Sequence, residues 1–168
     1  PGGQYANAVL ALTPEAGIQR YDKLHLIPLA ESAPWPGVRV EAGGVAGYER
    51  GASPVVLGPA GSRMGPLVCY EGLFGDYARR YARMEAQWLV VFAQTGWWGR
   101  WPAPRQLLTL FRLRAIESRR AVVVSTVAGP SAVIHPDGTI DQLTAWMEPA
   151  LAVAEVPLYT GHTLYVRW

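Results

Sequence analysis

Residues 5–12 (YANAVLAL) form an apolar run broken by one polar residue, Asn7, and read as a strand. TPEAG then turns the chain into a second strand over 18–27. In that strand Tyr21, Lys23 and His25 share one face, and Leu24 and Leu26 share the other. Pattern is lost in the Pro/Gly-rich stretch 28–54; a loop this long in a compact domain acts as a lid or stays mobile, and the lid is assigned to residues 30–54. VVLG (55–58) and MGPLVC (64–69) read as a hairpin around PAGSR. CYEGLFGDYARRYARM leads into a helix over residues 73–84, and QWLVVFA (87–93) is a continuous apolar run typical of a strand covered on both faces. Pro104 sits where a helix can begin, and Leu107, Leu110, Phe111, Arg114 and Ala115 recur at helical spacing over 104–119. AVVVSTV is another buried strand, SAVIHPDGTI a hairpin turning at Asp137-Gly138, and ALAVAEVPL a last strand. This order predicts a layered α/β arrangement with mixed strand pairing and no internal repeat.

Composition narrows the function classes. The 168 residues correspond to about one domain, and half are hydrophobic, enough to build a core. A net charge of +2 with scattered basic residues argues against a nucleic-acid partner. The apolar runs are too short to span a bilayer, so neither a membrane span nor a signal peptide is expected within this segment. One cysteine excludes an internal disulfide framework, and together with three histidines it offers no ligand cluster, so no metal or cofactor is expected. Seven tryptophans are many; Trp97, Trp98 and Trp101 crowd one loop and Trp35 sits in the long one, which points to an apolar ligand or partner surface.

Two residues carry candidate chemistry. Lys23 is the single lysine among 15 basic residues. Arginine cannot be deprotonated and brings a rigid fork, whereas lysine is a compact charge with an adjustable pKa, so the position either needs lysine's chemistry or kept it by chance. Cys69 ends an apolar strand just before a helix. That junction exposes a side chain near backbone N–H groups that favour a thiolate and an oxyanion; the alternative is a buried cysteine acting as a small hydrophobe. Glu31 lies eight residues beyond Lys23, Glu71 two beyond Cys69, and His25 offers a Cys–His pair as another arrangement.

YDKLHLIPLAE, PLVCYEGLF and PRQLLTLFRLRAIESRR together resemble the nitrilase (carbon-nitrogen hydrolase) superfamily, and more closely its apolipoprotein N-acyltransferase branch. The resemblance is colinear over nearly the whole chain. It implies a catalytic lysine at Lys23, an active-site-arm glutamate at Glu31, and a nucleophile at Cys69 within Cys69-Tyr70-Glu71, where the glutamate favours the acyltransferase branch. Pro104, Gln106, Arg112, Arg114, Ala115, Glu117 and Arg120 match the helix motif. GPSAVIHPDG resembles the strand pair after that helix, and GHTLYVRW the segment before the branch's last membrane helix. Two loops depart from the pattern: Gln94-Thr95-Gly96-Trp97-Trp98-Gly99 replaces Asn-Asp-Ala-Trp-Phe-Gly, and Val127-Ala128-Gly129 replaces an Asn-rich turn.

The resemblance implies a nitrilase-like α-β-β-α sandwich with mixed sheets. The superfamily's Glu–Lys–Cys triad has its glutamate base upstream of the first matched motif, and Glu15 is too close to Lys23 in sequence to replace it. Residues 1–168 are therefore expected to form a single partial domain with its N-terminal part absent, inactive alone. The implied reaction moves an acyl chain from a phospholipid through a Cys69 thioester to the N-terminal amine of a diacylglyceryl-cysteine lipoprotein. Lys23 stabilises charge, Glu31 and Glu71 orient groups, and Tyr70, Trp97, Trp98 and Trp35 line the substrate. The implied setting is a membrane surface, on the periplasmic side of a bacterial inner membrane. A soluble nitrilase-type amidase and a degenerate, non-catalytic homologue are the alternatives.

Overall fold

The computed structural model describes residues 5–32, 47–96 and 103–168. β1 (Ala8–Thr13) and β2 (Gly17–Asp22) form an antiparallel pair of their own, in the register Val9 opposite Tyr21. The second sheet has five strands in chain order: β3 (Met64–Val68), β4 (Trp88–Gln94), β5 (Ala121–Val127), β6 (Ala132–Ile134) and β7 (Ile140–Gln142). β3, β4 and β5 are parallel, joined through α1 (Gly75–Arg83) and α2 (Ala103–Ser118); β6 and β7 return antiparallel. A 3₁₀ turn, Cys69–Leu73, links β3 to α1, and a short α3 (Leu164–Arg167) closes the described chain.

The core lies between the helices and one face of the large sheet. Leu67, Leu89, Val91, Val122 and Val124 meet Tyr81, Phe111 and Ala115 there, all fully or nearly fully buried. Close approach requires glycine at Gly65: a Cβ there would stand 2.6 Å from Tyr81 Cγ and 2.7 Å from Leu89 Cδ2. Arg120, also buried, ties the end of α2 to its surroundings through backbone carbonyls alone, donating to Ala86 O (2.5 Å), Ser118 O and Arg119 O (3.2 Å each) and Gly161 O (2.9 Å).

Four expectations change. The second strand ends at Asp22, not at residue 27, and the alternation breaks because Lys23 and Leu24 are both buried. The hairpin expected at 55–58 is one bridge, Leu57 to Met64, held by bonds of 2.9 and 2.8 Å. The helix expected from residue 73 starts at Gly75, because the Cys69 turn before it is 3₁₀. The expected last strand over ALAVAEVPL has no ladder, and Leu151 and Val153 are 94% and 92% exposed. An extended apolar segment becomes a strand only with a partner, and among the described residues none pairs with it. Most of the proposed lid, 30–54, falls on 33–46, outside the described residues. No helix among the described residues is long and apolar enough to cross a membrane.

Candidate active site

β3, β4 and β5 all end at the same edge of the sheet, the edge at which ligands bind in open parallel α/β sheets. Cys69 stands at that edge, the first residue beyond β3. It is a free, half-buried thiol with φ of 52°, a left-handed backbone that costs a residue other than glycine about 1–3 kcal/mol. Such strain persists where the surroundings over-determine it, and two contacts do so here. Arg114, buried on α2 and paired with Glu117 at 2.9 Å, donates from Nη1 to the Leu73 carbonyl at the far end of the turn. Glu71, inside the turn, holds its near end.

The Glu71 carboxylate is fully buried and accepts four hydrogen bonds. Oε1 takes Tyr21 Oη at 2.8 Å, Leu24 N at 2.7 Å and His25 N at 3.0 Å; Oε2 takes Val68 N at 2.7 Å. One carboxylate therefore fastens the residue after Lys23 to the residue before Cys69. Burial, with Tyr81 and the Glu71 charge adding to it, pushes the Tyr21 phenol well above its ordinary range, so it remains a donor.

Lys23 is buried, and its ammonium lies across the Glu31 carboxylate, 2.9 Å from Oε1 and 2.8 Å from Oε2. Ile27 N (2.7 Å) and Asn7 Nδ2 supply two more donors to Glu31. The structure thus brings together Lys23, Glu31, Glu71 and the turn of Cys69. Tyr70 stands beside them in an aromatic group: His25 stacks on Phe74 at 4.3 Å, and Tyr70 meets both edge-on, at 5.3 Å from His25 and 4.9 Å from Phe74. The His25 ring is thus held as a packing element. Trp35, Trp97 and Trp98 lie outside the described residues.

The two departing loops interlock at the same edge. Thr95 donates to Val127 O through N (3.4 Å) and Oγ1 (2.9 Å), and Thr126 Oγ1 donates to Gly129 O. A Cβ on Gly129 would lie 2.6 Å from Thr95 Oγ1. Each unusual loop thus fits the other.

Two participants escape the sequence reading. Asn7 carries no pattern signal, because its contact with Glu31 spans 24 residues. Tyr21 shares a type alternation with Lys23, but nothing local marks its bond to Glu71, 50 residues away. Among the described residues, no three of His, Cys, Asp and Glu cluster as metal ligands.

The carbon-nitrogen hydrolase family model matches residues 2–163. The chain belongs to the carbon-nitrogen hydrolase family. Within that family it is similar to the apolipoprotein N-acyltransferase of Geobacter metallireducens, 32% identical over 98% of this chain and 33% of the relative. It is likewise similar to that of Bradyrhizobium diazoefficiens, 37% identical over 88% of this chain and 28% of the relative. The chain thus spans about a third of the length of these relatives. Among solved structures, an amidase from Nesterenkonia sp. AN1 superposes with a TM-score of 0.64 at 23% identity, covering 95% of this chain and 58% of the amidase. A carbon-nitrogen hydrolase from Helicobacter pylori G27 gives 0.66 at 16% identity, over 86% and 55%. The fold is the α/β nitrilase fold.

Proposed function

We propose that residues 1–168 form a single partial domain, the later part of the catalytic domain of a membrane acyltransferase, and that Cys69 is its nucleophile. The observation that carries this reading is the Glu71 carboxylate, which ties the Lys23 segment to the strained turn of Cys69. The names of the relatives support the choice of reaction.

The Cys69 thiolate attacks the ester carbonyl of a phospholipid acyl chain. The C–O bond breaks, the lysophospholipid leaves with a proton, and a thioester remains. The N-terminal amine of a diacylglyceryl-cysteine lipoprotein then attacks that thioester. The C–S bond breaks, the amine gives up a proton, and the thiolate is restored. Two covalent steps replace one difficult transfer. Lys23 places a fixed positive charge beside the tetrahedral oxyanion, with Glu31 holding the ammonium. Glu71 acts by positioning, since all four of its bonds go to protein donors. The proton is shuttled by the glutamate that the superfamily's triad carries upstream of the Lys23 motif. Tyr70, Trp97, Trp98 and Trp35 give the acyl chains apolar walls, and the domain faces a bilayer from its periplasmic side.

The test is acyl capture. Full-length protein incubated with phospholipid vesicles gains one acyl chain by intact mass, and Cys69→Ala gains none. An acyl adduct that survives in Cys69→Ala removes Cys69 as nucleophile. Hydrolysis of simple amides with no acyl capture from lipid moves the assignment to an amidase.

A further inference from the structure

We infer that Asn7 is a positioning residue for the Lys23 ammonium, acting through Glu31. The inference rests on reading Lys23 as the cation that serves Cys69, and it adds a residue that no motif in the sequence marks.

Asn7 grips both members of the ion pair. It stands one residue ahead of β1, and just past the end of the ladder its carbonyl accepts the Lys23 N–H at 2.8 Å. Its side-chain Nδ2 donates to Glu31 Oε1. Oε1 is thus shared by Asn7 and Lys23 Nζ, and Oε2 by Lys23 Nζ and Ile27 N. These donors set the plane of the carboxylate, and the plane sets where the ammonium lies. Ile27 N belongs to the same local turn as Glu31, whose own N–H donates to Ile27 O at 2.8 Å. Asn7 is the donor that ties the carboxylate to the hairpin carrying Lys23. Without it, Glu31 can pivot with its own turn and carry the ammonium along.

The surrounding charges leave this arrangement to Glu31. Asp22 is engaged by Arg20 at 2.8 Å, Glu71 by its four donors, and Glu49 approaches through its backbone N–H on Tyr5 O at 2.6 Å. Among the described residues, Glu31 is the carboxylate that Lys23 Nζ touches.

Two substitutions separate positioning from bulk. Asn7→Leu keeps the size and the backbone bond but removes the donor. Asn7→Asp keeps the shape and turns lone pairs toward Glu31 Oε1. Two adjacent carboxylates raise each other's proton affinity. Once the introduced carboxylate takes a proton, its O–H donates to Glu31 as the amide did. The Asn7→Asp variant should therefore regain function at low pH, and Asn7→Leu should not.

The measurement is the rate of Cys69 alkylation by iodoacetamide in the full-length protein, followed by intact mass. Each variant is expressed as a ratio to the unsubstituted protein at the same pH. Asn7→Leu should react about 10- to 100-fold more slowly at every pH, the effect of one lost hydrogen bond to a charged group. Asn7→Asp should match it near pH ~8 and return to within about 3-fold near pH ~5.5. Turnover with phospholipid should fall in kcat and not in KM. An Asn7→Leu variant that alkylates at the unsubstituted rate overturns the inference, and so does an Asn7→Asp ratio that is flat with pH. If Asn7→Leu does not fold, the two pH values of the near-isosteric Asn7→Asp decide alone. Alkylation needs no acyl donor. Failure of the unsubstituted protein to take up an acyl chain would therefore sink the acyltransferase reading and leave the Asn7 result intact.

Discussion

Replacing Glu71 by glutamine is the sharpest perturbation of the site, because it changes one oxygen to NH₂ and leaves the shape. The carboxylate accepts four bonds of 2.7 to 3.0 Å. Glutamine can keep its oxygen toward Tyr21, Leu24 and His25, but it must then point NH₂ hydrogens at the Val68 N–H. One buried donor pair is left opposed, at about 1–3 kcal/mol, and three charge-assisted bonds become neutral, each weaker by about 1 kcal/mol. The gross cost is about 4–6 kcal/mol. Part of it is returned because a neutral amide is easier to bury than a carboxylate, an effect of several kcal/mol in buried ion sites. A net loss of about 2–4 kcal/mol remains, concentrated at the junction of the Lys23 segment and the Cys69 turn. For a domain of this size that lowers Tm by roughly 5–15 °C. The assay is amide hydrogen exchange with thermal unfolding in the intact protein. Protection should fall first at Leu24, His25 and Val68, and Cys69 alkylation should slow. Unchanged exchange at those three amides, with Tm within about 2 °C, would refute the assignment of Glu71 as the tie between the two segments.

Two further outcomes follow from the same geometry. Lys23→Arg keeps the charge but forces a larger fork into a buried site shaped around one ammonium, so acyl capture and turnover should fall about 100-fold or more; near-normal rates would remove the argument from the lone lysine. Gly65→Ala should destabilise the domain by about 1–3 kcal/mol without touching the site, because its Cβ meets Tyr81 and Leu89 at 2.6 and 2.7 Å, and urea unfolding with unchanged Cys69 alkylation would show this.

The elements legible in the sequence are those whose signal is local. β4, β5 and α2 lie within a residue of where the apolar runs and the helical period place them. Their burial is settled by strand pairing and helix packing that their own residues specify. The end of β2 is not legible. Tyr21, Lys23 and His25 alternate in type, yet the chain leaves the ladder at Asp22 so that Leu24 N and His25 N can reach Glu71. Residues 150–158 are as apolar and regular as β5, but a strand is a relation between two segments, and pattern in one cannot supply the other. The positions of Lys23, Glu31 and Cys69 are visible through the family motifs. The work of Glu71 is legible only in part: the resemblance implies that it orients groups near Cys69, but which groups it holds emerges only from its four donors.

A division of labour between the two glutamates follows. Each accepts four hydrogen bonds, but the donors differ. Glu71 takes three backbone N–H groups and a phenol, all neutral donors: Tyr21, Leu24 and His25 from a segment distant in sequence and Val68 from beside its own turn, so its charge holds backbone to backbone. Glu31 takes an ammonium twice, so its charge holds a cation at a fixed place. Without Glu31, Lys23 would be an uncompensated buried ion, a loss of about 3–5 kcal/mol. Without Glu71, the turn holding Cys69 in its left-handed conformation would lose the anchor on its near side, and the strain of about 1–3 kcal/mol would drive it to relax. Oxyanion stabilisation depends on charge that is in place before the reaction needs it. Under the proposed mechanism that preorganisation is divided: Glu31 holds the cation, and Glu71 ties the cation's segment to the turn of Cys69.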